Sequence, residues 1–275
     1  MKICLAKHGG FCFGVQRAIK IAHETAANYT NVYIKGGLVH NELVCEAVEK
    51  KGIKKIDSLK AIPSGATLII KAHGEPFETY CEAEEKHITI VDATCPMVKD
   101  IHKKAKEMET KGYQVIIVGD KNHEETRGIL GNVKNGLVIE SKDHLKGLKS
   151  AIEKKVCVVC QSTQNIENVS EIVGGLTRHT EELCFLNTIC HPTRLRQEEI
   201  EKLAKTCAAV IVVGSKQSAN TKRLYQVAKK INHNAFWVVA DNIKKEKFRG
   251  FKTIAIIGGA STPQDTLKSI EEKLS

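Results

Sequence analysis

Three times along this chain a short apolar run gives way to a cysteine, and helical spacing begins within a few residues. The clearest case is residues 88–98, Ile-Thr-Ile-Val-Asp-Ala-Thr-Cys-Pro-Met-Val. Strand-like composition ends at Asp92, and Val98, Ile101, Ala105 and Met108 then recur at helical spacing. Pro96 suits the first turn of that helix, where its missing N–H costs nothing. Cys95 therefore stands at a helix mouth, where the helix dipole favours the thiolate, the form that binds metal. Gly10-Phe11-Cys12-Phe13-Gly14-Val15 and Asn187-Thr188-Ile189-Cys190-His191-Pro192 repeat the arrangement ahead of two further helical stretches. Three cysteines in one local context point to one site.

The cysteines are also landmarks of an internal repeat. A hydrogen-bonding side chain in a polar loop stands 28 residues after each of them: His40, His123 and Ser218. Further on in each third, an apolar run ends in another donor: His73, Thr163 and Ser261. Short apolar runs alternate throughout with amphipathic stretches, the pattern of parallel α/β sheets. Strands are expected over 2–6, 31–34, 67–71, 88–91, 114–118, 156–160, 209–213, 236–239 and 253–257. The repeat divides the chain into α/β lobes at 1–94 (Cys12, His40, His73), 95–189 (Cys95, His123, Glu125, Thr163) and 190–275 (Cys190, Ser218, Asn220, Ser261). Ligands of open α/β sheets bind beyond the carboxyl ends of the strands. Three lobes around a pseudo-threefold axis would thus gather three thiols at a centre, with the donor loops lining one cavity.

Composition narrows the partners. The chain has 275 residues and ten cysteines, and its start reads as a strand and not as a signal peptide. Thiols in that setting serve metal, redox chemistry or core packing and not a disulfide framework. Cys4, Cys157, Cys160 and Cys207 lie in or beside apolar runs and read as core. Cys157 and Cys160 have CxxC spacing, but in a strand they point to opposite faces. No run reaches the length of a membrane span, so a cytoplasmic protein is expected. The net charge of +10 is spread over lysines (50, 51, 54 and 55; 103, 104 and 106; 244, 245 and 247) taken to lie on helical faces and mixed with acids. With few aromatics and no recognition motif among them, neither nucleic acid nor membrane is expected as a partner.

Three thiolates can hold zinc with a histidine as fourth ligand. They can equally hold an iron–sulfur cluster that leaves one iron without a protein ligand. The donors favour the cluster: His40, His73, His123, Thr163, Ser218, Asn220 and Ser261 suit a phosphate-type anion approached from several directions. Glu124 and Glu125 add carboxylates able to relay a proton. The chain has no GxGxxG fingerprint, which argues against direct use of a nicotinamide cofactor.

These residues carry a family resemblance. Gly-Phe-Cys12-Phe-Gly-Val, Val39-His40-Asn41, Ala72-His73-Gly74, Asp92-Ala-Thr-Cys95-Pro, His123-x-Glu125, Asn187-Thr-Ile-Cys190, Arg196-Gln197, Ser218-x-Asn220-Thr221 and Gly259-Ala-Ser261 resemble, in order along the whole chain, the motifs of the 4-hydroxy-3-methylbut-2-enyl diphosphate reductase (IspH/LytB) family. The resemblance implies a trefoil of three α/β lobes around a [4Fe–4S] cluster held by Cys12, Cys95 and Cys190. It implies a diphosphate bound by His40, His73, His123, Ser218, Asn220 and Ser261, and Thr163 with Glu125 as the proton relay. It further implies the last step of the non-mevalonate isoprenoid pathway, and a ferredoxin or flavodoxin as electron donor. Ala219, Glu124, Glu75 and Gln217 stand where that family usually has Ser, Pro, Val and Asn. Beside a diphosphate, Glu75 and Glu124 are expected to face solvent. Two other readings stand next to this one: a reductase of the same fold acting on another hydroxylated substrate, and a cluster- or zinc-bearing sensor without turnover. A sensor needs no proton relay, and the set His123, Glu125 and Thr163 weighs against it.

Overall fold

The computed structural model describes residues 1–239 and 243–275. The chain begins with β1 (Lys2–Leu5) and α1 (Phe13–Asn28). It continues through β2 (Val32–Lys35), α2 (Glu42–Glu49), β3 (Lys54–Ile56), β4 (Thr67–Ile70), α3 (Phe77–Glu85) and β5 (Thr89–Asp92). Next come α4 (Pro96–Thr110), β6 (Gln114–Val118), α5 (Glu124–Leu130), β7 (Gly136–Ile139), α6 (Lys142–Gly147), β8 (Lys155–Cys160), α7 (Ile166–Leu176) and β9 (Glu182–Phe185). The last part holds α8 (His191–Thr206), β10 (Ala209–Val213), α9 (Ala219–Ile231), β11 (Ala235–Val238), β12 (Thr253–Gly258) and α10 (Gln264–Leu274).

Among the described residues these strands form three four-stranded sheets in the orders β3-β2-β4-β5, β7-β6-β8-β9 and β1-β12-β10-β11. Every pairing is parallel. The third order, read from its other end, is β11-β10-β12-β1. In each sheet, then, the first two strands of the lobe lie in reversed order and the third and fourth follow. The result is three similar α/β lobes. The fourth place in the third lobe is filled by β1, which the repeat assigns to residues 1–94. It runs beside β12, with Lys2 opposite Thr253 and Leu5 opposite Ile256. Nothing local marks that choice, because a short apolar strand carries no label for its sheet.

Helices on both faces make the central strands apolar throughout. Along β6 and β8, Ile116, Val118, Val156, Val158 and Cys160 pack with Leu145, Val169, Ile172 and Leu176, while Val115, Ile117 and Val159 pack with Ile101, Ala105 and Ile129. The third sheet divides in the same way: Val210, Val212, Ala255 and Ile257 meet Ile200, Leu224 and Ala228, and Ile211, Ile254 and Ile256 meet Leu267, Ile270 and Phe248. Three strands lie outside those expected: β3, β7 and β9. All are edge strands; exposed residues break the apolar run in β3 and β9, whereas β7 is an unbroken apolar run of only four residues. Lys54 and Lys55, assigned above to a helical face, are exposed residues of β3.

The chain divides into two compact units: Met1–Gln16, His40–Leu43 and Cys190–Ser275 form one, and Arg17–Val39 with Val44–Ile189 the other. No helix among the described residues is long and apolar enough to cross a membrane.

The placement of β1 is open to direct test. Its amides bond to the far end of the chain, as in Lys2 N–H to Lys252 O and Ala6 N–H to Ile256 O, both 2.9 Å. Hydrogen exchange read by mass spectrometry should show residues 2–6 losing protection together with 253–258. Protection that follows 32–35 instead would place β1 in the wrong sheet.

Candidate functional site

In a parallel sheet every strand leaves its carboxyl end into a strand-to-helix loop, and the expected site residues lie on such loops or, for Glu125 and Asn220, in the first turn of the helix that follows. Cys12, Cys95 and Cys190 each follow the fourth strand of a sheet (β1, β5, β9). His40, His123 and Ser218 follow the first (β2, β6, β10), and His73, Thr163 and Ser261 follow the third (β4, β8, β12). First and third strands are neighbours, so within each sheet the two donor loops flank the point where strand order reverses, the usual ligand position in open α/β sheets.

In the unit containing both chain ends, Cys12 directly precedes α1 and Cys190 is the residue before α8. Both are half-buried thiols. Cys12 N–H donates to Ala260 O at 3.0 Å, which ties its loop to the one carrying Ser261. The Cys190 thiol and the Thr193 hydroxyl are 3.0 Å apart. Between the two loops Arg196 is 4% exposed and donates to Gly10 O at 2.8 Å and Pro192 O at 3.3 Å. Burial pushes this guanidinium's pKa down, and the charges of Cys12, Cys190 and Glu199 oppose that shift. Its Nε has no partner among the described residues. Arg196 thus places a buried cation beside both sulfurs. In the sequence the Arg196-Gln197 pair is only a motif, and its proximity to both thiols is visible only in three dimensions.

Four donors lie in the same unit. Ser218 caps α9, its oxygen accepting from Thr221 N–H at 3.3 Å. Ser261 donates to His40 O at 2.9 Å, and Asn41 Nδ2 donates to Ser261 O at 2.7 Å, so the His40 segment is stitched to the β12 loop. Asn220 is 3% exposed, yet neither its Oδ1 nor its Nδ2 has a partner among the described residues. A buried amide in that condition is expected where a ligand completes the bonding. The β12 loop closes tightly at Gly259, where a Cβ would sit 2.1 Å from Thr221 Oγ1. Ala219, at the start of α9, is buried.

The other unit holds Cys95, His73, His123, Glu125 and Thr163. Cys95, a half-buried thiol, precedes α4, and its N–H donates to Ala72 O at 3.0 Å, beside His73. This is the bond Cys12 makes beside Ser261, repeated in a second lobe. The rings of His73 and His123 meet edge to face with centroids 5.4 Å apart. His123 caps α5, its Nδ1 accepting from Glu125 N–H at 3.2 Å, which leaves Nε2 to donate outward.

Glu125 is 2% exposed, and both carboxyl oxygens accept from Ser162, from its N–H and, at 2.8 Å, its hydroxyl. Burial pushes this carboxyl's pKa up, outweighing the bonds from Ser162 and the charge of His73. Gln161 Oε1 accepts from Asp120 N–H at 2.9 Å, and its Nε2 donates to Thr163 Oγ1 at 3.0 Å. Thr163 Oγ1 thus accepts a hydrogen bond from Gln161 and keeps its own hydroxyl proton to donate. Ser162 and Gln161, bonded to Glu125 and Thr163, are candidate site residues that the sequence reading misses. Their one signal is adjacency to Thr163 at the end of an apolar run.

The expectation that Glu75 and Glu124 face solvent is overturned. Glu75 is 4% exposed and Glu124 half-buried, and both pair with buried Lys71, at 2.9 and 2.6 Å. Glu75 also meets Lys35 at 3.1 Å and Thr79 Oγ1 at 3.2 Å. Lysines 36 residues apart in sequence supply the opposing charge, and only the adjacent parallel strands β2 and β4 bring them together. Cys157 and Cys160 are fully buried in β8, and burial pushes both thiols up to about 12, which keeps them protonated.

A family profile described as LytB protein matches residues 3–275. The 4-hydroxy-3-methylbut-2-enyl diphosphate reductase of Clostridioides difficile (strain 630) is 37% identical over 272 residues, covering 98% of each chain. That of Aquifex aeolicus (strain VF5) is 36% identical over 279 residues, covering 99% of this chain and 95% of the relative. Among solved structures, the E-1-hydroxy-2-methyl-but-2-enyl-4-diphosphate reductase of Plasmodium falciparum matches with a TM-score of 0.92 at 29% identity, covering 98% of this chain and 87% of that one. A second, an (E)-4-hydroxy-3-methyl-but-2-enyl diphosphate reductase described as the terminal enzyme of the non-mevalonate pathway, matches with a TM-score of 0.71 at 35% identity, covering 99% and 98%.

The Glu124 pairing carries a pH signature. Burial alone would raise its pKa, but His73 and Lys71 hold it well below the usual carboxylate range. A depressed carboxyl contributes stability that is complete above its unfolded value of about 4.3 and is lost as pH falls toward the folded value. Urea midpoints measured from pH 7 down to pH 3 should therefore fall less steeply for Glu124→Gln than for the unaltered protein. Parallel curves would mean the carboxylate is not held by these cations.

Proposed function

The chain belongs to the LytB protein family, and from that premise we propose that it is a 4-hydroxy-3-methylbut-2-enyl diphosphate reductase yielding isopentenyl and dimethylallyl diphosphate. The support that carries this reading is the equivalence of the three lobes: a cysteine after each fourth strand, and donors after each first and third. The reaction takes up two electrons and two protons and releases the hydroxyl as water. In this reading it closes the non-mevalonate route to isoprenoids, in the cytoplasm, with a ferredoxin or flavodoxin as electron donor.

Cys12, Cys95 and Cys190 would hold a [4Fe–4S] cluster. Their fit rests on three half-buried thiols at helix starts and on the buried cation of Arg196 beside Cys12 and Cys190. When bound, such a cluster supplies the electrons and an iron without a protein ligand. The chain's own residues do the rest. His40, His73, His123, Ser218, Asn220 and Ser261 bind and orient the diphosphate, and the unmatched amide of Asn220 is the clearest structural support for that role. Glu125 is the proton reservoir: its raised pKa keeps the carboxyl loaded nearer neutrality than an exposed glutamate, and Ser162 holds it in one orientation. Thr163, oriented by Gln161, hands the proton toward the departing hydroxyl. Both relay groups sit on or against one loop, so the transfer needs no large movement.

Two measurements test these assignments. Anaerobic purification with iron and sulfide analysis should show Cys12→Ser, Cys95→Ser and Cys190→Ser each failing to keep an intact cluster, while Cys157→Ser and Cys160→Ser keep it. A full cluster after loss of any of the first three thiols would overturn the ligand set. Turnover of the diphosphate should fall by about 10²-fold or more in Glu125→Gln, which cannot deliver a proton. The same exchange at Glu124 should spare kcat. Equal kcat losses would show that the relay carboxyl has been misassigned.

A further inference from the structure

Lys71, at the end of β4, is 5% exposed, and a buried ammonium must be matched by counter-charge. Glu75 and Glu124 supply it. Glu75 in turn holds Lys35, so the four groups Lys35, Lys71, Glu75 and Glu124 sum to zero charge. The two oxygens of Glu124 are used differently. Oε1 is pinned 2.6 Å from Lys71 Nζ, and Oε2 stands 3.4 Å from Nδ1 of His73. A carboxylate only accepts, so at this ion-pair distance it favours the proton on the ring nitrogen that faces it. Nε2 on the opposite edge can then donate to an anion only if the ring also bears a positive charge.

The surroundings match that state. Without Glu124 the remaining set would already be positive, and a charged His73 beside it would be repelled. His123, packed edge-on against His73, points its own Nδ1 at Glu125 N–H and so brings no proton to the shared edge. His102 lies behind Gly74, where a Cβ would sit 2.9 Å from its Cε1, and burial holds it neutral with a pKa near 4. The nearest further acid, Glu125, is occupied by Ser162. Glu124 therefore brings the set to neutrality and faces His73, so that a charged ring there is not repelled.

We propose that Glu124 is a positioning residue for the diphosphate site: pinned by Lys71, it holds the proton on Nδ1 of His73 and faces the ring with a negative charge, so that His73 meets the diphosphate as a cationic donor through Nε2. This rests on His73 being a diphosphate ligand. It also reverses the simple expectation for an acid near an anionic substrate, since removing the negative charge should weaken binding and not strengthen it.

That reversal is the test. Glu124→Gln keeps the size and a carbonyl acceptor but lacks the charge. In protein with a full cluster it should raise KM for 4-hydroxy-3-methylbut-2-enyl diphosphate by about tenfold, with kcat within about twofold. An unchanged or lowered KM would overturn the proposal. In a His73→Asn background the same exchange should change KM by less than about twofold, because the residue it acts through is gone. A full tenfold rise there would equally overturn it. Inorganic pyrophosphate binding, measured by calorimetry on the same proteins, separates this inference from the assigned reaction. If the unaltered protein with a full cluster fails to turn over the diphosphate, the reaction is wrong. Weaker pyrophosphate binding by Glu124→Gln would still uphold the role of Glu124, and equal or tighter binding would end it.

Discussion

A parallel strand cannot turn straight back into its neighbour. It has to leave the sheet, cross over through a helix and return, so all strand-to-helix loops of one sheet lie at one edge. The candidate site residues lie on those loops or in the first turn of the helix that follows. Cys95, His40, His123 and Thr163 owe their places to the crossover rule before they owe anything to their own contacts. The rule applies three times, with one strand order, and so produces three equivalent sets of positions. Evolution of function in such a frame is a matter of which side chain occupies each equivalent loop, and His40, His123 and Ser218 show how freely that choice is made.

How much of this is legible in the sequence depends on burial. Strands covered on both faces, such as β6 and β10, are apolar in nearly every residue and stand out at once. Edge strands such as β3 and β9 mix lysine or glutamate into short runs and give no signal. Candidate site residues are legible where the repeat aligns them, as with His73, Thr163 and Ser261. The residues that hold them in position are not. Ser162, Gln161, Arg196 and Lys71 act through contacts with residues distant in sequence: Ser162 with Glu125, Gln161 with Asp120, Arg196 with Gly10, Lys71 with Glu124. No local pattern encodes such a pairing.

The two glutamates illustrate why residue type alone misleads about electrostatics. Read singly, Glu75 and Glu124 are negative charges near an expected anion site. In place they belong to a group whose sum is zero, and their oxygens are engaged by Lys71, Lys35 and Thr79. Glu125, one residue from Glu124, has the opposite character. It meets no cation at ion-pair distance among the described residues and is buried against Ser162, so its proton affinity rises where its neighbour's falls. Adjacent carboxyls can serve as a fixed charge and as a proton carrier because successive residues at a helix start face different surroundings.

The pairing of β1 with β12 has a consequence for how the molecule is made. On the ribosome β1 emerges ahead of the other strands described, and the strand it pairs with is among the last. At synthesis rates of about 5–20 residues per second, that strand waits on the order of ten seconds or more with an unmet edge. The sheets of β2–β5 and β6–β9 are each encoded in one continuous segment and can close as soon as they are translated. β12 has to be made before β1 can pair, so a product terminated between β9 and β10 would carry two closed sheets and an unpaired β1. Such a fragment offers quality control an extended apolar segment as its handle, at the end of the protein that was made first.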